Sequence, residues 1–213
     1  MNEQQHLETL SDIKRIMERS SRFISLSGLS GVWAGLTGLA GAAVAFTQMS
    51  DYYIAWDTRG SYSDADYAAL RYNLITLGAI VLAVAVAGGY YFTRRRARRN
   101  NVPIWDATSR KVLVNFGIPL VAGGCFILGL MFNNFVTLIA PSCLVFYGLA
   151  LVNASKYTLS DIRYLGLAEI ALGILNIFFL RRGLYFWTLG FGVLHIVYGL
   201  VMWWKYERPA KEQ

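Results

Sequence analysis

Two residues in this chain of 213 residues join a capacity for proton chemistry to an apolar setting: Glu169 and His195. A carboxyl and an imidazole are the side chains best suited to exchanging a proton near neutral pH. They lie thirteen residues before and thirteen after Arg182, so on two antiparallel helices joined there both fall about 20 Å from the turn and level with each other. Gly166 and Gly173 stand three before and four after Glu169, and Gly192 and Gly199 frame His195 in the same way. Residues three and four apart share a helix face, so both groups sit in glycine stripes that face a neighbouring helix. An ionisable group at the centre of a membrane helix costs on the order of 2.5–3.5 kcal/mol on insertion scales. Two roles would offset that cost: a contact that fastens one helix to another, or a protonatable pair serving as a polar gate for a proton or small polar solute. Asn115 and Asn176, with Pro119 and Pro141, are supporting positions along such a path, or else helix irregularities and interhelical hydrogen bonds.

The elements that must hold this pair are apolar helices. With 55% hydrophobic and 15% charged residues and a mean hydropathy of +0.40, the chain is too apolar for an ordinary soluble domain. Its runs predict six spans, at about residues 26–49, 72–93, 112–132, 135–152, 163–180 and 184–204. The net charge of +7 falls between apolar runs and not in a stripe with interleaved aromatics, which argues against nucleic acid. Leu7, Leu10, Ile13 and Met17 recur at helical spacing among Lys14, Arg15, Glu18, Arg19 and Arg22, predicting an amphipathic N-terminal arm over residues 1–25. Residues 1–22 lack an apolar signal core, so the first span is expected to direct insertion.

The loop over residues 50–70 carries Tyr52, Tyr53, Trp56, Tyr62 and Tyr67 and is expected to lie at a headgroup interface. Ser63, Asp64 and Asp66 read as an N-cap with an acidic first turn. Arg94, Arg95, Arg96, Arg98 and Arg99 close the second span, as an anchor for anionic headgroups or a dock for an acidic partner. Asn133 and Asn134 form a tight turn, and Lys and Arg crowd the ends shared by both termini. That bias puts both termini in the cytoplasm, with Arg59, Arg71, Arg181 and Arg182 on the other side and residues 205–213 as a cytoplasmic tail.

Gly28-Leu29-x-x-Val32-x-x-Gly35, Gly117-Ile118-x-x-Val121-x-x-Gly124 and Gly166-Leu167-x-x-Ile170-x-x-Gly173 share one pattern, and Tyr147-Gly148-Leu149 echoes Tyr198-Gly199-Leu200. These predict three repeated helical hairpins. Over residues 26–204 the layout resembles the HdeD-like acid-resistance membrane proteins, also built from three short apolar hairpins that open on Gly-Leu or Gly-Ile. The resemblance implies a small bacterial inner-membrane protein and carries over no functional residue. The Arg-rich connection, the long aromatic loop and the charged arm depart from it.

Walker, G-x-S-x-G and H-E-x-x-H patterns are missing, and two histidines leave little for a metal, so neither an enzyme nor a cofactor is expected. Cys125 and Cys143, nine residues either side of Asn134, should be level as packed thiols. The expectation is an all-α bundle of six transmembrane helices in three hairpins. It would act as a transporter or channel through Glu169 and His195, or as a scaffold or regulatory subunit working through its arm and Arg-rich loop. Its partners would be anionic lipid and a second copy or a cytoplasmic protein.

Overall fold

The computed structural model describes residues 26–59 and 63–207, so the expected N-terminal arm and the tail beyond residue 207 lie outside the described residues. The described chain is all α. Its helices are α1 (Gly28–Arg59), α2 (Asp64–Arg99), α3 (Ala107–Phe132), α4 (Ile139–Ala154), α5 (Asp161–Phe178), α6 (Gly183–Trp187) and α7 (His195–Tyr206). A seven-residue π-helical stretch, Thr188–Leu194, joins α6 to α7 without a break. Among the described residues, five helices are long and apolar enough to cross a membrane: Gly28–Ile54, Asp64–Arg99, Ala107–Phe132, Val136–Tyr157 and Leu180–Tyr206. α5 is the exception, since its 18 residues include Asp161, Arg163 and Glu169.

Helix limits follow local chemistry. Ser63 caps α2 by accepting from the Asp66 amide at 3.4 Å, as the Ser-Asp-x-Asp spacing predicts. Asp106 and Ser109 form a reciprocal capping box that starts α3, five residues before the expected 112, because the box satisfies amides left free at a helix start. The expected loop over residues 50–70 is a correction. α1 runs on to Arg59, since residues 51–59 contain no glycine or proline to break it. Pro141 falls in the first turn of α4, where its missing N–H costs no helical bond. Asn101 and Asn134, both at positive φ, follow α2 and α3.

The closest helix approaches are built on glycine. α1 crosses α7 antiparallel, and a Cβ at Gly31 would stand 3.0 Å from Gly199 Cα, one at Gly35 2.6 Å from Gly192 O. α5 crosses α4 in the same way, with a Cβ at Gly166 2.7 Å from Gly148 O and one at Gly173 2.9 Å from Pro141 O. The two crossings use equivalent positions of the Gly-x₆-Gly pattern and of the Tyr-Gly-Leu echo. The third copy of the pattern, Gly117 and Gly124 on α3, has nothing within 4 Å. Sequence neighbours therefore do not always make the tightest pairs: α5 packs far more extensively on α4 than on α6 and α7, and α7 packs on α1. α2 lies against α1, where the Trp33 ring fills the notch at Gly88 and donates to Val84 O at 3.0 Å. Outward faces carry large apolar side chains such as Leu36, Phe46, Leu82, Val121 and Leu128, which require an apolar surrounding.

The glycine contacts predict opposite signs at two positions. A Cβ at Gly148 would lie 2.6 Å from Gly166 O and 2.9 Å from Ile170 N, both rigid backbone atoms, so Gly148→Val should cost at least ~1–3 kcal/mol. Gly124→Ala meets open space and should leave stability unchanged or raise it by up to ~1 kcal/mol. Thermal unfolding of the two variants in one detergent checks both.

Candidate functional site

Glu169 and His195 come together in the interior. His195 Nδ1 lies 3.4 Å from Glu169 Oε1, and the residues are 4% and 0% exposed. The imidazole is held at both nitrogens: Nδ1 is 2.9 Å from Gly190 O and Nε2 is 2.7 Å from the Tyr147 hydroxyl. A carbonyl can only accept, so Nδ1 carries a proton and donates it; Nε2 of the neutral ring then accepts from Tyr147. The Nδ1–H is thus directed at the Gly190 carbonyl, with Glu169 Oε1 beside it at 3.4 Å.

The π-helical stretch makes this geometry. A π turn aligns groups five residues apart, and His195 bonds the carbonyl of Gly190, five residues back. Gly190 and Gly192 lie in the stretch and face different neighbours: Gly190 abuts Glu169 Oε2 and Leu144, while Gly192 abuts Leu39 on α1. Aromatic rings wall the imidazole, with Tyr147 and Phe191 at 5.4 and 6.0 Å between centroids and Trp187 tilted behind Phe191 at 5.1 Å. Neither Glu169 oxygen has a hydrogen bond among the described residues.

Tyr147 is the member that sequence reasoning missed. It stood out only as part of the Tyr-Gly-Leu echo, although it lies three residues after Leu144 and hence on the same helix face. Its echo, Tyr198, packs with it against the cluster around Leu159, Ile162 and Met202 but makes no contact with the imidazole nitrogens. Asn176 is fully buried on the face of α5 that carries Glu169. Asn115 does not join the pair: its amide donates to Lys111 O at 2.8 Å within α3, and its carbonyl accepts from Asn153 at 2.8 Å. Cys125 and Cys143 are free thiols, the first exposed. Among the described residues no three His, Cys, Asp or Glu side chains gather as a metal set.

The arginine run divides. Arg94, Arg95, Arg98 and Arg99 are exposed, while Arg96 turns inward and binds the carbonyls of Leu26 and Tyr206 and the carboxylate of Glu207. Glu207 also accepts from Ser27 Oγ and from the Gly28 amide at the start of α1. The ends of α2 and α7 and the start of α1 are thereby clasped together. Beside this clasp, Asp161 at the head of α5 accepts from Lys205 Nζ at 3.1 Å and from the Tyr206 hydroxyl at 2.5 Å. Compared with family models, with curated proteins and with solved structures, the chain finds no match.

Partial burial works against the Asp161 carboxylate and is the largest single influence on it, but the hydrogen bonds from Tyr206 and Lys205 and the Lys205 charge together outweigh it and hold Asp161 below its ordinary value. A carboxyl lowered on folding stabilises the fold above its unfolded pKa, about 3.9, and loses that contribution as pH falls through the folded value. The melting temperature of the wild type should therefore fall more steeply than that of Asp161→Asn on acidification below about pH 4. Parallel slopes would contradict this.

Proposed function

We propose that this chain is a six-span bacterial inner-membrane protein in which Glu169 and His195 form a protonatable pair serving the passage of a proton or small polar solute. One observation carries the reading: a fully buried carboxyl 3.4 Å from an imidazole that is bonded at both nitrogens. Two leucines would fasten these helices without the cost of intramembrane charge. The span expected over residues 163–180, fifth in chain order, is carried by α5, whose 18 residues reach about 27 Å, close to the hydrocarbon thickness, with Asp161 at its head outside the span. The matching glycine crossings of α1 with α7 and α4 with α5 support a repeated hairpin, as does the resemblance to HdeD-like proteins. Both termini face the cytoplasm by the excess of Lys and Arg at that end. No chemical conversion of a substrate belongs to this reading.

In liposomes loaded with a pH-sensitive dye, the wild type should carry a proton or solute-coupled proton flux. Glu169→Gln and His195→Ala should abolish it while melting within a few degrees of the wild type. A silent wild type, with both variants merely less stable, would reduce the pair to a fastener.

A second reading draws on the four exposed arginines, Arg94, Arg95, Arg98 and Arg99. They would bind anionic headgroups or an acidic cytoplasmic protein and make the chain a scaffold or regulatory subunit. Neutralising these four, or deleting residues 1–22, should then release a protein that co-purifies under mild solubilisation; an empty pull-down from wild type counts against it.

A further inference from the structure

Three residues hold buried side-chain oxygens without a hydrogen bond among the described residues: Gln48 Oε1, Asn176 Oδ1 and both oxygens of Glu169. Every one is an acceptor. Buried acceptors are seldom left unpaired in native interiors, and several in one region point to donors that come from outside the chain.

Their placement is ordered. Glu169 and Asn176 are seven residues apart on α5, on one face and about 10 Å along the axis. The facing helix presents glycine to each: Gly190 abuts Glu169 Oε2, and a Cβ at Gly183 would stand 3.9 Å from Asn176 Oδ1. Those glycines are also seven apart, so the two helices keep register; Glu169 Oε2 lies in the place of a Gly190 side chain, and a Cβ at Gly183 would meet Ala140 Cβ at 3.1 Å before Asn176 Oδ1. The amide of Asn176 is oriented by its own donor group, since Nδ2 gives a hydrogen bond to Phe179 O at 3.2 Å, an atom that can only accept. Oδ1 is thereby turned away from the end of α5. On α1, the register that sets Gly31 against Gly199 and Gly38 against Phe191 carries Gln48 to the level of the turn at residues 181–183.

We propose that this face is a track for small hydrogen-bond donors, a file of water molecules that carries protons between the Arg181–Gly183 end of the bundle and Glu169. The inference rests on the reading of Glu169 and His195 as a protonatable pair and adds its route and its guest. Acceptors select donors. An anion would turn lone pairs towards the Glu169 carboxylate, while a water can bond two to four polar partners and bridge from one acceptor to the next. Two or three waters at ordinary hydrogen-bond spacing cover about 10 Å. Proton balance is kept along the file: each water passes one proton on as it receives one, and the last proton rests on the Glu169 carboxylate or leaves from its carboxyl. Tyr147 and His195 stand on the other side of Glu169, beyond the end of the file.

Two measurements on the full-length protein test the track. A density map near 2 Å resolution, fine enough to place ordered water, should show water within hydrogen-bond distance of Asn176 Oδ1 and of a Glu169 oxygen. A dry contact there overturns the proposal. In liposomes, Asn176→Leu should lower proton flux about tenfold, Asn176→Asp, which keeps the acceptor, should retain it, and Gly183→Val should block the file from the opposite helix should Asn176→Leu fail to fold. Unchanged flux in Gly183→Val and in folded Asn176→Leu overturns the track and leaves the Glu169–His195 pair standing. Ordered water beside a wild type without flux overturns the proton-carrying file together with the transport reading, whereas dry acceptors beside a conducting wild type overturn the file alone. A flux that disappears when sodium is replaced by choline would assign these oxygens to a metal cation and overturn the water file.

Discussion

Helices surrounded by lipid gain nothing by hiding leucine from one another, so close approach of backbones is what holds them, and here that approach depends on glycine. Gly28, Gly31 and Gly35 let α1 reach α7, and Gly166 and Gly173 let α5 reach α4. The two crossings are equivalent position by position, and together they trap the last helix between α1 and the α4–α5 pair. Large apolar side chains are left to point outwards, the reverse of a soluble core and the arrangement that an apolar solvent favours.

The polar site is a product of the same constraint. Glu169 lies midway along the glycine face of α5, with Gly166 and Gly173 on either side, and the space it occupies exists because Gly190 lacks a side chain. The π-helical stretch then turns the Gly190 carbonyl under the imidazole and fixes the proton on Nδ1. Tyr147 closes the other nitrogen. With aromatic rings around it, the group has few alternatives for its protons, so geometry at three helices decides where a proton can go.

Apart from Glu169, charge among the described residues is kept to the ends of the bundle. At the arginine-rich end the chain uses its charges pairwise: Arg96 with Glu207, and Lys205 with Asp161. Both contacts involve the residues that follow α7 or end it, so the end of α7 ties the starts of α1 and α5 to the end of α2. Such pairing at a helix terminus also supplies partners to backbone groups that helices leave open, as the Gly28 amide and the Tyr206 carbonyl illustrate.

Apolar run lengths, breakers and caps are local properties, so the sequence alone determined an all-helical chain, the turn at Asn133 and Asn134, the cap at Ser63 and the helix-facing role of the glycines. The level placement of Glu169 and His195 was equally legible, because counting from one tight turn fixes depth on antiparallel helices. Other features were settled only in three dimensions. Helix partners depend on which glycine faces meet, and three copies of one pattern gave two crossings and one open face. Whether Arg96 turns in while its neighbours turn out depends on a carboxylate more than a hundred residues away. The π stretch sets Gly190 against α4 and α5 and Gly192 against α1, and Tyr147 joined the site because α4 carries it there. Contacts between distant segments leave no spacing in the sequence to read, and those contacts decided the site's third member and its proton's position.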